Sequence, residues 1–491
     1  MLAATDPDFD LARLTTKGLF ANDGRGNVVP DLVEKWELSP DQKTYRLTLR
    51  PNLHWSDGVP LTTADVIFTF QSLQDKTLAS PWAASFRDVT FKSQDERTLN
   101  LNLREPYAPF LGALTIGLIP EHIWRNLPPN RWLLAETNLK PVGTGPFRFK
   151  SLTTTNNGQL KSYTLEPNPY THTNQPYLER IILRFYSDRT TALEALRQGA
   201  VDGLGGVGSA DKEAASPKKF SVHELTLPHY TAIFYNPEKN PWLQEKAIRQ
   251  GLSYAINRPE LVRQALNGEA QPATGPFTFG ELRARTAAGA ITFDPTKTTQ
   301  LFTSAGLTRQ SNQGPYLKDG RTLELTLTTT DADELTAVAE TIKQQWESAG
   351  VKVNLEIVPV AKLQSGVITP RRYQALLTSE IVGLDPDLYP FWHSSQAAAP
   401  GLNLSQFKNP EADRLLAEAR QDQNWQNRLA KYTRLQEILA AESPTTFLYS
   451  TTYAYLMDRG INGFVTTVIG QPSDRWAGVE QWYRQTERQW K

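Results

Sequence analysis

The chain has 491 residues, which at about 150 residues per domain corresponds to three domain-sized pieces. Lys plus Arg (52) balances Asp plus Glu (52), so the zero net charge argues against a basic nucleic-acid surface and against an acidic solvating tail. There is no cysteine, so within these 491 residues disulfides, zinc–thiolate and iron–sulfur sites, a cysteine nucleophile and a lipidated cysteine are ruled out. The longest apolar run, 111–119, is closed by Pro120 and falls well short of the roughly 20 residues a membrane helix needs. The first fourteen residues are acidic with no basic residue before Arg13, which is not the pattern of a signal peptide.

Strand and helix patterns alternate along the whole chain. Tyr45, Leu47 and Leu49 alternate with polar residues, as do Leu99, Leu101 and Leu103, and both runs predict half-buried strands. Between them, Thr62 followed by Asp65, Val66, Phe68 and Phe70 predicts a capped helix. Residues 181–186 read as an apolar strand and 190–197 as a helix stopped by Gly199. Further on, Leu323, Leu325 and Leu327 form a strand pattern, and Asp331 with Glu334 predicts a capping pair. Leu335, Val338, Ala339, Ile342 and Trp346 recur at helical spacing. After Gly350, Val351, Val353, Leu355 and Ile357 alternate again. Strand, helix and strand in this order predict a parallel pair with a right-handed crossover. Asn409-Pro410 opens a helical region that breaks near Asn424 and runs to Glu442. The fold class is α/β.

Local catalytic patterns are weak. Gly203-Leu204-Gly205-Gly206-Val207-Gly208 matches the dinucleotide fingerprint, but a helix pattern precedes it and no periodic helix follows, so it reads as a loop. The six histidines show no helical i,i+4 pair; His223 and His229 flank one predicted strand on one face. No G-x-S-x-G elbow occurs. No catalytic set, cofactor or metal site is therefore expected. Tyr389, Phe391 and Trp392 beside Asp385 and Asp387, interrupted by Pro386 and Pro390, read as a loop suited to lining a ligand cleft.

Longer motifs carry a resemblance. Gly18-Leu19-Phe20 is followed by Val29-Pro30-Asp31-Leu32-Val33-Glu34-Lys35-Trp36. The stretch 45–66 runs from Tyr45-Arg46-Leu47 through His54-Trp55-Ser56-Asp57-Gly58 to Thr62-Thr63-Ala64-Asp65-Val66. Then come Gly143-Thr144-Gly145-Pro146-Phe147, Ala195-Leu196-Arg197-Gln198-Gly199-Ala200-Val201-Asp202, and 247–258, ending Tyr254-Ala255-Ile256-Asn257-Arg258. In this order they resemble the family 5 extracellular solute-binding proteins, the peptide- and nickel-type binding components of ABC importers. By their own chemistry these motifs are structural: Trp55 to Gly58 is a turn, Gly58 suits a positive φ, and 143–146 is a tight loop entering a strand.

The resemblance implies a two-lobed periplasmic-binding-protein-like clamp of type II, with an extra subdomain inserted in the first lobe. Lobe I would span 1–236, with the insertion at 21–170. Lobe II would span 237–447 and open with a helix at 241–256, and 448–491 would return to lobe I. It implies an extracytoplasmic or periplasmic, monomeric binder that hands an oligopeptide or similar polar solute to an ABC permease, with no nucleic-acid partner. The alternatives are a nickel-chelate or sugar binder, or a sensor or hydrolase on the same scaffold. Relatives have a strand and a leader ahead of the position where this sequence begins, which implies a trimmed or shortened N-terminus. Peptide-binding relatives line the cleft with a loop resembling Gly-Trp-x-x-Asp, a few residues before Asp-Pro or Glu-Pro. Setting Asp385-Pro386 against that dipeptide places Thr378 at the Gly, Ser379 at the Trp and Val382 at the amine-binding Asp. The candidates for a replacement charge are Glu380 and Asp385. Trp392, Tyr449 in the returning strand and Tyr230 near the other crossing strand complete the expected ligand-binding set.

Overall fold

The computed structural model describes residues 3, 5–78, 80, 82–286, 290–309, 311 and 314–484. The chain forms two compact units, Met1–Thr226 with Tyr453–Lys491, and Leu227–Thr452.

In the first unit, strands Val33–Leu38, Thr44–Leu49, Thr98–Asn102 and Thr90–Ser93 form an antiparallel sheet in that spatial order. Tyr45, Leu47, Leu49, Leu99 and Leu101 point into its core, as their alternation predicts. Helix Thr63–Gln74 covers them with Val66 and Phe70. Its capping box is the expected one: Thr62 accepts the N–H of Ala64, and Asp65 accepts the N–H of Thr62 at 2.9 Å.

The signature motifs meet one another here. Trp55 is fully buried, Gly58 closes the turn onto the Trp55 carbonyl at 2.9 Å with φ +90°, and the Ser56 N–H donates to the Gly143 carbonyl at 2.9 Å. Gly143 returns a bond to Ser56 Oγ at 3.3 Å. A Cβ on Gly143 would lie 2.0 Å from the Thr15 carbonyl oxygen, so the close backbone approach requires glycine. Asp31, from the Val29-Pro30-Asp31 motif, is buried against His172 (2.8 Å) and Lys17 (3.5 Å). Burial opposes its charge, but Lys17 and then His172 overcome this and hold its carboxyl down to about 2.

The second unit is a sheet with helices on both faces. The spatial order is residues 445–452 of strand Thr445–Asp458, then His229–Tyr235, Ala375–Ile381, Glu324–Thr330 and Lys352–Val358. Glu324–Thr330 pairs in parallel with Lys352–Val358, and helix Asp333–Ser348 makes the crossover expected from the sequence. Gly350 follows that helix at φ +89°. Helices Pro410–Gln421 and Trp425–Glu442 flank the expected break, and Asn409 and Asn424 cap them.

Several expectations change. Asp331 does not cap the crossover helix; it accepts the Val360 N–H at 3.0 Å, and the helix starts at Asp333 behind Ala332. The helix expected at 241–256 is split into a 3₁₀ turn, Pro241–Gln244, and a helix, Lys246–Tyr254, because Glu245 is extended. His223 and His229 do not flank one strand: they lie on Phe220–Thr226 and His229–Tyr235 respectively. The glycine motif is not a plain loop, since Gly203–Gly205 is a strand and a six-residue helix, Ser209–Ala214, follows. Its glycines serve packing, because a Cβ on Gly203 or Gly205 would strike the hydroxyls of Tyr455 or Tyr453. Trp392 is core and not loop surface, lying at the end of the short helix Tyr389–Trp392 at 1% exposure.

Candidate functional site

The candidate site forms where strand Ala375–Ile381 outruns one of its two neighbours. On one side it pairs antiparallel with His229–Tyr235 along its whole length, from Tyr235↔Ala375 to His229↔Ile381. On the other side its parallel ladder with Glu324–Thr330 contains only Leu327↔Ala375 and Thr328↔Leu376. Residues 378–381 therefore have a strand on one side only.

Hydrogen-bond alternation fixes which backbone groups face the open side. The Val382 N–H donates to the Pro228 carbonyl at 2.8 Å, toward the paired strand. The Leu377 carbonyl accepts from Thr329 Oγ1 at 3.0 Å, on the opposite side. Residues alternate in an antiparallel ladder, so Ser379 and Ile381 turn their N–H and C=O groups the same way as Leu377, onto the open edge. Such an edge is a template for another extended chain.

The side chains split by face. Ser379 and Ile381 are exposed, Ile381 at 68%, and Ser379 Oγ shares a 2.8 Å hydrogen bond with Thr231 Oγ1. Thr378 and Glu380 are buried. Beneath the strand, the Tyr230 hydroxyl donates to Glu380 Oε2, and Glu380 Oε1 is buried with no hydrogen-bond partner among the described residues. The Tyr230 ring meets Phe447 edge-on at 5.0 Å, and Phe447 packs at 5.9 Å against Trp392. Burial among these rings pushes the Glu380 carboxyl up to about 8; the Tyr230 bond and the Arg371 charge only moderate the effect. At neutral pH Glu380 is thus mainly a neutral acid and is no fixed counter-charge for an amine.

The remaining expected residues hold the surroundings. Tyr449 is fully buried and donates to Glu334 Oε1 at 2.8 Å; this is where the expected capping carboxylate is used. A bulge lies beside it, since Thr231↔Tyr449 is followed by Ala232↔Phe447. Asp385 is gripped by both terminal nitrogens of Arg428. Asp387 accepts from Arg420 Nε at 3.0 Å, and Arg420 lies over the Tyr389 ring at 4.4 Å. Val382, which the sequence motif sets against the amine-binding Asp of peptide-binding relatives, lines a cavity of about 80 Å³ with Phe277, Leu384, Pro386 and Trp425.

Glu380, Tyr230 and Trp392 are thus brought into one buried cluster. Tyr449 and Asp385 are placed in separate pairs, and Thr378 and Ser379 lie on opposite faces of the strand. The backbone of Ile381 is not among the residues the sequence points to. Its signal is structural and not chemical: a strand that continues past its neighbour shows no residue type of its own. Among the described residues, no group of three or more His, Asp or Glu side chains is arranged to hold a metal ion, and no helix is long and apolar enough to cross a membrane.

The model of the family described as bacterial extracellular solute-binding proteins, family 5 Middle, matches residues 27–399, and this chain belongs to that family. The chain is 25% identical to the oligopeptide-binding protein AppA of Bacillus subtilis (strain 168), over 98% of this chain and 88% of that protein. The structure of AppA from Bacillus subtilis in complex with a nonapeptide superposes with a TM-score of 0.74 at 23% identity, covering 99% of this chain and 95% of that one. NikZ from Campylobacter jejuni, in complex with Ni(L-His), superposes with a TM-score of 0.76 at 24% identity, covering 96% of this chain and 94% of that one. The fold is therefore the mixed α/β fold of the periplasmic binding proteins, the class expected from the sequence motifs.

Proposed function

We propose that this chain is an extracytoplasmic solute-binding protein that captures an oligopeptide and delivers it to an ABC permease in the membrane. The reading is supported by family membership and by the oligopeptide-binding relative that aligns over nearly the whole chain. The observation that carries it is the open edge at Ser379 and Ile381, whose unpaired backbone groups suit a main-chain ligand. Backbone recognition is indifferent to side-chain identity, as a carrier of varied peptides requires. Ser379 and Ile381 touch the ligand. Thr378, Glu380, Tyr230 and Trp392 hold the strand from its buried face, and Tyr449 and Asp385 fix the neighbouring strand and loop.

The protein acts as a monomer and catalyses no reaction. It needs no cofactor and no nucleic-acid partner. Calorimetric titration with a mixture of short peptides, and separately with Ni(L-His), tests the reading. Saturable binding of peptides with no heat from the nickel complex is the expected result. Binding of the nickel complex alone would replace the peptide reading with the metal-chelate one. Turnover of peptide or ester substrates would overturn the non-enzymatic one.

A further inference from the structure

A second feature of the same unit lies in the wall of a cavity of about 170 Å³, which is not built from the 375–381 strand. Arg258 is 5% exposed. Its Nε donates to the Phe447 carbonyl at 2.6 Å and its Nη1 to the Ile291 carbonyl at 2.9 Å. Nη2 has no hydrogen-bond partner among the described residues, and no carboxylate there lies within ion-pairing distance of the guanidinium. A guanidinium carries five N–H donors and cannot shed its charge readily, so two carbonyl dipoles leave both donors and charge uncompensated. Burying a cation in that state is unfavourable unless a counter-charge meets it, and Arg258 lines the cavity from which one could. The same burial draws the Arg258 pKa down to about 10, which reflects how poorly the charge is compensated.

The rest of the wall mixes polar and apolar residues, with Arg285 at its margin. Of its hydroxyls, those of Thr433 and Ser443 already donate to the Leu429 and Ala440 carbonyls, and those of Ser253 and Thr445 pair with Thr446 and Ser405, so Arg258 is the group that an occupant would meet. The one carboxylate among the lining residues, Glu437, is paired with Arg434 at 2.8 Å, and Arg285 is itself paired with Glu281 at 2.9 Å, which leaves Arg258 as the lining cation without a carboxylate partner.

We propose that this cavity binds a small oxyanion, a carboxylate or phosphate group, on the guanidinium of Arg258. Phe447 connects the two sites: its carbonyl accepts from Arg258 and its ring rests on Tyr230. The proposal does not depend on the peptide reading.

The test is calorimetric titration of the full chain with sodium phosphate and, separately, sodium acetate, each against sodium chloride at equal ionic strength. Saturable binding with a Kd of about 1 mM or tighter is expected for at least one of the two. The two arms distinguish a phosphate from a carboxylate occupant. Arg258→Met should abolish that binding. Because removing a buried arginine can disturb folding, Ala440→Leu, which fills the cavity and keeps Arg258, is the second variant. It should weaken the anion by at least about tenfold while leaving peptide titration unchanged. No saturable binding of either anion by the wild-type chain would overturn the proposal. So would an Ala440→Leu protein that binds the anion as the wild type does.

Discussion

The Tyr230 hydroxyl donates to Glu380 across two neighbouring antiparallel strands, with Tyr230 and Glu380 directly opposite in register. The pair lies beneath the open edge of Ser379 and Ile381, so the buried side chains of one strand stand directly under its unpaired backbone.

The first prediction follows from the raised Glu380 pKa. In the unfolded chain Glu380 ionises near its ordinary value, and in the folded chain it holds its proton up to about 8. A raised folded pKa contributes stability that is complete below the unfolded value and is lost as pH rises through the folded one. Between about pH 5 and 8 this group alone should lower stability by about 1.4 kcal/mol per pH unit. Glu380→Gln, neutral at every pH, should remove that slope. Guanidinium denaturation at a series of pH values measures it, and an unchanged slope in the variant would contradict the assignment.

A neutral Glu380 also bears on ligand recognition. At neutral pH, Glu380→Gln should change peptide affinity by less than about threefold, because no ammonium is paired with it. N-acetylating the peptide should likewise have little effect through this residue. A loss of tenfold or more from both changes would show that Glu380 serves as a charged anchor after all.

Asp31 gives the opposite pH dependence. Its pKa is depressed, so the stability it contributes is present above the ordinary carboxylate value and is lost as pH falls toward about 2. Asp31→Asn leaves Lys17 without its buried counter-charge and should cost about 3 kcal/mol at neutral pH. Thermal unfolding of wild type and variant at neutral pH and at pH 3 checks both parts, and the gap between them should narrow in acid.

Metal removal should have no effect. Dialysis against a chelator is expected to leave the melting temperature and the peptide affinity unchanged, since no described cluster is arranged as a metal site. A fall in either after chelation would point to a metal-dependent ligand.

Much of the fold could be read from residue pattern, and the site only in part. Alternation at Tyr45, Leu47 and Leu49, the Thr62–Asp65 box and the unit ending at Gly350 are local signals, and each formed as its spacing predicts. Other features depend on partners distant in sequence. Asp331 had the right residue type for a cap but found Val360, and Glu334 found Tyr449, more than a hundred residues away. Trp392 sits among prolines and acids that suggest a loop, yet Phe447 and Phe407 enclose it. Glu380 is legible in the sequence as an acid in the right segment. Its burial, and therefore its charge state, is set by Tyr230, 150 positions earlier. The open edge depends on where the neighbouring ladder ends, and no local sequence pattern encodes that.

Edge recognition can be tested from the protein side. The N–H of Ile381 faces the open side, where proline is tolerated because no ladder bond is lost. Ile381→Pro should fold with a melting temperature close to wild type and bind peptide at least about tenfold more weakly. Equal affinity in a folded variant would remove Ile381 from the site.

The most direct test uses the ligand. A peptide that binds the wild-type protein is resynthesised with its backbone amides N-methylated at alternate positions, once in each phase, and all three forms are titrated by calorimetry. If the main chain pairs with Ser379 and Ile381, one phase should lose at least about tenfold in affinity and the other should bind nearly as the parent does, because only alternate amides face the edge. Equal affinity for all three peptides would contradict recognition through this strand.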